Sequence, residues 1–128
     1  MTHAKALVLT LGGTVVVHRH TQLERRGPHV ALVLQPFGRA AHAVDLITYQ
    51  LDGSVVLNSG GHTTPLAKAR INAFLPEGLG WSVWSRTAGL DRRAWYLVGA
   101  GRAPVRFQDG MSIRPDGTLV PPVDPIGA

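Results

Sequence analysis

Asp45-Leu46-Ile47-Thr48-Tyr49-Gln50-Leu51-Asp52-Gly53-Ser54-Val55-Val56-Leu57-Asn58 runs directly into Ser59-Gly60-Gly61-His62-Thr63-Thr64-Pro65-Leu66-Ala67-Lys68-Ala69-Arg70-Ile71-Asn72-Ala73-Phe74-Leu75. The first half is a β-hairpin by its residues. Two β-branched and apolar runs flank Asp52-Gly53, a pair that favours tight hairpin turns. Ser59-Gly60-Gly61 breaks the second strand. The second half is a helix. Thr64 suits the N-cap, and Pro65 suits the first helical position, where its missing N–H has no partner to lose. Ala67, Ile71, Phe74 and Leu75 recur on one face at helical spacing. Pro76 and Gly78 stop the run. About three turns are too few to stand alone in water, so the helix of about residues 64–75 must pack on a sheet.

The rest of the chain reads as strands. Ala6-Leu7-Val8-Leu9 and Thr14-Val15-Val16-Val17 around Gly12-Gly13 predict a hairpin from Leu7 to Arg19. His20 to Pro28 is charged and reads as a loop. Val30 to Leu34 is a buried strand, and Arg39 to Ala43 is either a helical turn or an irregular link. Beyond the helix, Trp81-Ser82-Val83-Trp84-Ser85 alternates with period two. It pairs with Ala94-Trp95-Tyr96-Leu97-Val98 across a loop at Gly89-Leu90-Asp91-Arg92. Val105-Arg106-Phe107, Met111-Ser112-Ile113 and Thr118-Leu119-Val120 follow, punctuated by Asp109-Gly110 and Asp116-Gly117. Residues 121–128 form a proline-rich, extended tail after a single domain spanning residues 1–120.

The totals bound the function. A chain of 128 residues holds one core. It has no cysteine, which excludes disulfides, thiolate metal sites and cysteine nucleophiles. No run reaches the roughly 18 apolar residues of a membrane span, and no signal peptide is visible. The expectation is a cytoplasmic protein, in a host cytoplasm or a virion if viral, without membrane or cofactor. The net charge is +5, and of 13 basic residues all but Lys5 and Lys68 are arginine. That bias suits an anionic partner such as nucleic acid; a GC-rich genome produces the same bias.

Residues 60–72 hold the candidate site. Gly60-Gly61 leads to a helix start, where free N–H groups and the positive dipole end attract anions. Thr63 and Thr64 stand at its mouth. Lys68 and Asn72 are four apart on one side, and Arg70 projects from the other flank. The Leu66 and Ala67 amides, a threonine hydroxyl and Lys68 could together hold a phosphate. The spacing is not that of a Walker A loop. The same residues also read as a plain helix cap after a tight turn.

This segment resembles one in a group of small proteins of unknown function from phage and metagenomic viral genomes. In that group a hairpin ends in serine-glycine-glycine and an aromatic residue. A threonine-rich helix start, a basic residue and an asparagine follow. The matching residues here are Ser59, Gly60, Gly61, His62, Thr63, Lys68, Arg70 and Asn72. The likeness continues through Trp95-Tyr96 and ends at Phe107-Gln108-Asp109-Gly110-Met111. His62 stands where that group has tryptophan, and Leu66-Ala67 replaces a more hydroxyl-rich pair. The resemblance implies a viral setting and no particular activity.

Two other constellations bear on function. His18 and His20 are two apart on a predicted strand and share a face; with His29 or His42 they could hold a metal, but no carboxylate sits at a telling spacing, so they read as solvated surface histidines and no metal site is expected. Arg25, Arg26, Arg92, Arg93, Arg102, Arg106 and Arg114 lie near Trp81, Trp84, Trp95 and Tyr96 in sequence. Such arginine and aromatic mixtures serve single-strand binding through charge and base stacking, but tryptophan on short alternating strands more often serves core or hairpin packing. Trp81 and Trp84 are expected on opposite faces. There is no Gly-x-Ser-x-Gly elbow, no His-Glu-x-x-His and no Rossmann glycine pattern, so no enzyme activity is expected.

The expectation is therefore an α+β fold: a twisted antiparallel sheet or small open barrel of six to eight strands with one short helix. The leading functional expectation is a non-enzymatic, phage-type accessory protein. It contacts nucleic acid or a nucleic-acid machine through Thr63, Thr64, Lys68, Arg70, Asn72, Arg92 and Arg93. The alternative is protein binding, as a virion component or a host-enzyme inhibitor, with a homo-oligomer or other protein partner.

Overall fold

A computed structural model describes residues 1–35, 42–61, 63–85 and 94–122. The element order is α1 (His3–Leu9), β1 (Val15–His18), β2 (Thr21–Arg26), β3 (His29–Leu34), β4 (Val44–Tyr49), β5 (Val55–Leu57), α2 (Pro65–Phe74), β6 (Ser82–Ser85), β7 (Trp95–Val98), β8 (Val105–Arg106), β9 (Ser112–Ile113) and β10 (Leu119–Val120). The strands form two antiparallel sheets. The large one runs β1-β2-β3-β4-β5-β9-β10, and the small one β6-β7-β8. Neither closes into a barrel. Among the described residues no helix is long and apolar enough to cross a membrane.

The mostly antiparallel α+β character matches the sequence reading, and the strand count and single sheet do not. Ten short strands lie in two sheets because the chain leaves the large sheet after β5, builds α2 and the small sheet, and returns to lay β9 beside β5. The Asp52-Gly53 hairpin is present, with Ile47 opposite Leu57 and Tyr49 opposite Val55. Leu46 has no partner opposite it, because Leu32 faces Ile47 while Val33 faces Asp45. That bulge puts two consecutive residues, Leu46 and Ile47, into the core.

Two elements correct the sequence reading. Residues 6–9 are helical, not the first arm of a hairpin. Thr2 caps α1 by accepting the Lys5 N–H, and Thr10 donates its hydroxyl to the Ala6 carbonyl. The Arg25 guanidinium donates to the Leu7 carbonyl, holding the other end of the orphan carbonyls. Only Ala6 of this helix is buried, so its apolar run carried no helical stripe to read. The charged stretch read as a loop contains β2. Thr21 and Leu23 point inward while Gln22 and Glu24 flank them, and only one apolar residue marks the alternation. Gly27, at φ +62°, turns β2 into β3. The links at 36–41 and 86–93 and the tail at 123–128, including the helical-turn and loop expectations there, lie outside the described residues.

The core lies between α2 and the large sheet and continues under the small one. Val30, Leu32, Ile47, Leu57 and Ile113 come from the large sheet, Ala67 and Ile71 from α2, and Val83, Trp95 and Leu97 from the small sheet. Trp95 meets Phe107 edge to face at 5.2 Å. Tyr49 reaches out of this core to donate its hydroxyl to the Phe74 carbonyl at 2.6 Å, and burial pushes its pKa upward.

The departure from β5 demands glycine. Gly60 and Gly61 both have positive φ, +65° and +80°. A Cβ on Gly60 would stand 2.5 Å from Val44 Cγ2, whereas one on Gly61 would meet nothing within 4 Å. Gly60→Ala should therefore cost about 3 kcal/mol, strain plus overpacking, and Gly61→Ala about 1 kcal/mol, strain alone. Chemical denaturation of the two variants measures the difference.

The Asp52 carboxylate accepts from the Ser54 hydroxyl and amide, which hold its pKa below the ordinary 3.8. A lowered acid pKa stabilises the fold above the ordinary value, and that support is lost as the pH falls through the folded one. Asp52→Asn should flatten the acid limb of a melting-temperature profile followed down through the carboxylate range.

Candidate functional site

The helix start at Thr63-Thr64-Pro65 is where the sequence placed it. Thr64 accepts the Ala67 N–H at 3.1 Å, so one of the two amides expected to hold a phosphate is already capped. Thr63 is in contact with its surroundings. The side chains farther along tie elements together. Lys68 Nζ donates to Ser85 Oγ at 2.7 Å. Asn72 takes both backbone groups of Val83, accepting its N–H at 2.7 Å and donating to its carbonyl at 2.9 Å. Arg70 Nε donates to Thr21 Oγ1 at 3.1 Å, on the large sheet. So α2 holds β6 with one flank and β2 with the other. Lys68 and Arg70 diverge and do not form one patch. Arg92 and Arg93 lie outside the described residues.

The two ends of the resembling segment meet. The Ser59 N–H and hydroxyl both donate to Asp109 Oδ1, at 2.7 and 2.8 Å, and the Gly61 N–H donates to Ser59 Oγ. This is a structural clasp at the root of the excursion that carries the small sheet.

The small sheet has two unlike faces. Val83, Trp95 and Leu97 are buried inward. On the outer face Trp84 stands opposite Tyr96, and Tyr96 opposite Arg106, so the three make one cross-strand row. Trp84 is 53% exposed and Arg106 is exposed, whereas Trp95 is 2% exposed. Trp84 Nε1 donates to Ser82 Oγ, two residues back on the same face, which lays the indole along the strand. A depression of about 450 Å³ beside it is lined by Lys68, Asn72, Val83, Trp84 and Ser85. Two residues of the sequence-derived site, Lys68 and Asn72, therefore border the exposed indole.

Several other arginines and histidines serve the fold. Arg25 caps α1 through Leu7 and Thr10, and Arg26 pairs with Glu24 and Asp45, both at 3.1 Å. His20 sits at φ +56° in the turn after β1, so it shares no strand face with His18. His29 Nδ1 accepts the Leu51 N–H. Among the described residues no three histidine or acidic side chains come together as a metal site.

No family model, curated protein or solved structure matches the chain. The functional reading rests on its own geometry.

The row of Trp84, Tyr96 and Arg106 did not enter the site derived from sequence. Its signal was present in the alternation, since Trp84 and Tyr96 share the phase opposite Val83, Trp95 and Leu97. The missing quantity was the register between the strands.

Asn72→Ala leaves both Val83 groups unpaired and should cost about 2–3 kcal/mol. Asn72→Asp keeps an acceptor for the Val83 N–H. Hydrogen exchange at Val83 should therefore accelerate sharply in the alanine variant and much less in the aspartate variant.

Proposed function

We propose that the outer face of the β6-β7-β8 sheet binds single-stranded nucleic acid. The observation that carries this reading is the register of Trp84, Tyr96 and Arg106, which lines two aromatic rings and a cation across three strands. Aromatic faces stack bases without regard to sequence, and cations beside them follow the phosphate backbone. Lys68, bordering the same indole, adds a second positive group. The net charge of +5 favours approach to a polyanion. Such an activity suits a non-enzymatic accessory role in the viral setting that the sequence resemblance implies.

Anisotropy of a labelled mixed-sequence single strand at low salt tests it. Trp84→Ala and Tyr96→Ala should each weaken binding by about 5- to 100-fold, as expected for one lost stacking contact. The logarithm of affinity should fall with that of salt at about 0.7 per phosphate neutralised. No shift with either DNA or RNA sinks the reading.

A second reading, protein binding, is favoured by an edge of the large sheet. β1 ends the large sheet, its Val16 is 70% exposed, and Leu11 just before it is 76% exposed. An uncharged terminal strand is open to strand addition. A native mass above one chain that Val16→Lys returns to the monomer supports it.

A further inference from the structure

Beside Trp84 the outer face of the small sheet runs into a cleft of about 520 Å³. Trp84 and Val98 wall it on the sheet side, and Pro76, Glu77 and Trp81 on the side of the chain joining α2 to β6. The Arg102 guanidinium lies over the ring of Trp81, one of the residues that line the cleft, 4.6 Å from the centroid.

The backbone is shaped to hold that stack. The Arg102 N–H donates to the Gly99 carbonyl at 3.1 Å, which folds the chain back after β7. A Cβ on Gly99 would stand 2.7 Å from the Gly80 carbonyl oxygen, 3.2 Å from Arg102 Cδ and 3.3 Å from Trp81 Cε3. Glycine thus lets the arginine stem lie down against the ring. The Trp81 indole N–H donates to the Gly117 carbonyl at 2.8 Å, fixing the ring from the other side. Arg25, Arg26 and Arg70 all give hydrogen bonds to the fold. Among the described residues the Arg102 guanidinium gives none and pairs with no carboxylate. A stacked guanidinium of this kind keeps its in-plane donors for a ligand and is oriented in advance, which suits a phosphate.

We propose that the cleft is a single-nucleotide site, with the base against Trp84 and the phosphate on Arg102. The proposal rests on the single-strand reading of the small sheet and makes the cleft one end of the strand's path. Glu77 sets the orientation. Its carboxylate repels a phosphate and accepts from an exocyclic amine, so the base edge faces Glu77 and the phosphate faces Arg102. Cytosine is therefore preferred to uracil.

Titration of the isotope-labelled full chain with cytidine monophosphate, uridine monophosphate and cytidine tests the cleft, read at the indole N–H resonances. The Trp81 and Trp84 signals should move with cytidine monophosphate, while buried Trp95 stays in place and reports an intact fold. Cytidine and uridine monophosphate should each bind about 10-fold more weakly. Arg102→Lys keeps the charge and loses the planar stack; it should weaken the monophosphate, and a short single strand, by about 10-fold. Stationary Trp81 and Trp84 signals overturn the proposal, and so does an Arg102→Lys chain that binds the monophosphate as well as the wild type. If those results come with oligonucleotide binding that Trp84→Ala abolishes, the cleft alone fails and the sheet reading stands. If the oligonucleotide does not bind, the sheet reading falls, and the monophosphate titration decides the cleft on its own.

Discussion

Asn72 holds Val83 by both of its backbone groups, and the small sheet depends on that grip. β6 ends its sheet, so its outer N–H and carbonyl groups have no neighbouring strand. One side-chain amide supplies a donor and an acceptor at the spacing a strand would present. Lys68, one turn earlier, adds the bond to Ser85. The helix thus covers an open edge that would otherwise invite another chain, and it fixes the direction in which Trp84 faces outward. The same helix buries Ala67 and Ile71 against the large sheet. It joins the two sheets through an apolar face and a polar flank at once.

Local signals in the sequence carried over where the cause of structure was itself local. The cap at Thr64, the proline at the first helical position and the turn at Asp52-Gly53 are decided by a few adjacent residues, and all three stand as read. α1 was missed because its helical cause is not in its apolar run. It lies in the Thr2 cap and in Arg25, which arrives from another element to bond the Leu7 carbonyl. β2 was missed because its alternation is carried by threonine and a single leucine among charges. The division into two sheets depends on Asn72 meeting Val83, a contact that periodicity does not encode.

The site followed the same rule. Lys68, Arg70 and Asn72 drew attention as polar residues clustered on one helix, and the structure employs each of them in holding another element. The aromatic row became visible only once Trp84, Tyr96 and Arg106 were aligned across strands. Residue type marked the candidates, and register sorted those that serve the fold from those that face outward. Arg102 makes the point at one residue: its neighbours in sequence are glycine, alanine and proline, and its position over Trp81 comes from a turn that only a glycine at 99 allows.

The clasp between Ser59 and Asp109 closes a loop whose ends are 50 positions apart in the chain. β9 can pair with β5 only when that loop has shut, so the large sheet cannot be completed by local steps alone. Its first five strands are joined in order by short connections, and they can assemble early. The last two must wait for α2 and the small sheet to form, or must close an unstructured loop against its entropy. That entropy rises slowly with length, by about 0.6 kcal/mol per doubling. The links within the excursion are therefore free to lengthen or shorten at little thermodynamic consequence, provided its two ends still meet. The outward-facing aromatic surface is carried on the excursion, which the shared core of Ala67, Ile71, Val83, Trp95 and Leu97 holds to the large sheet.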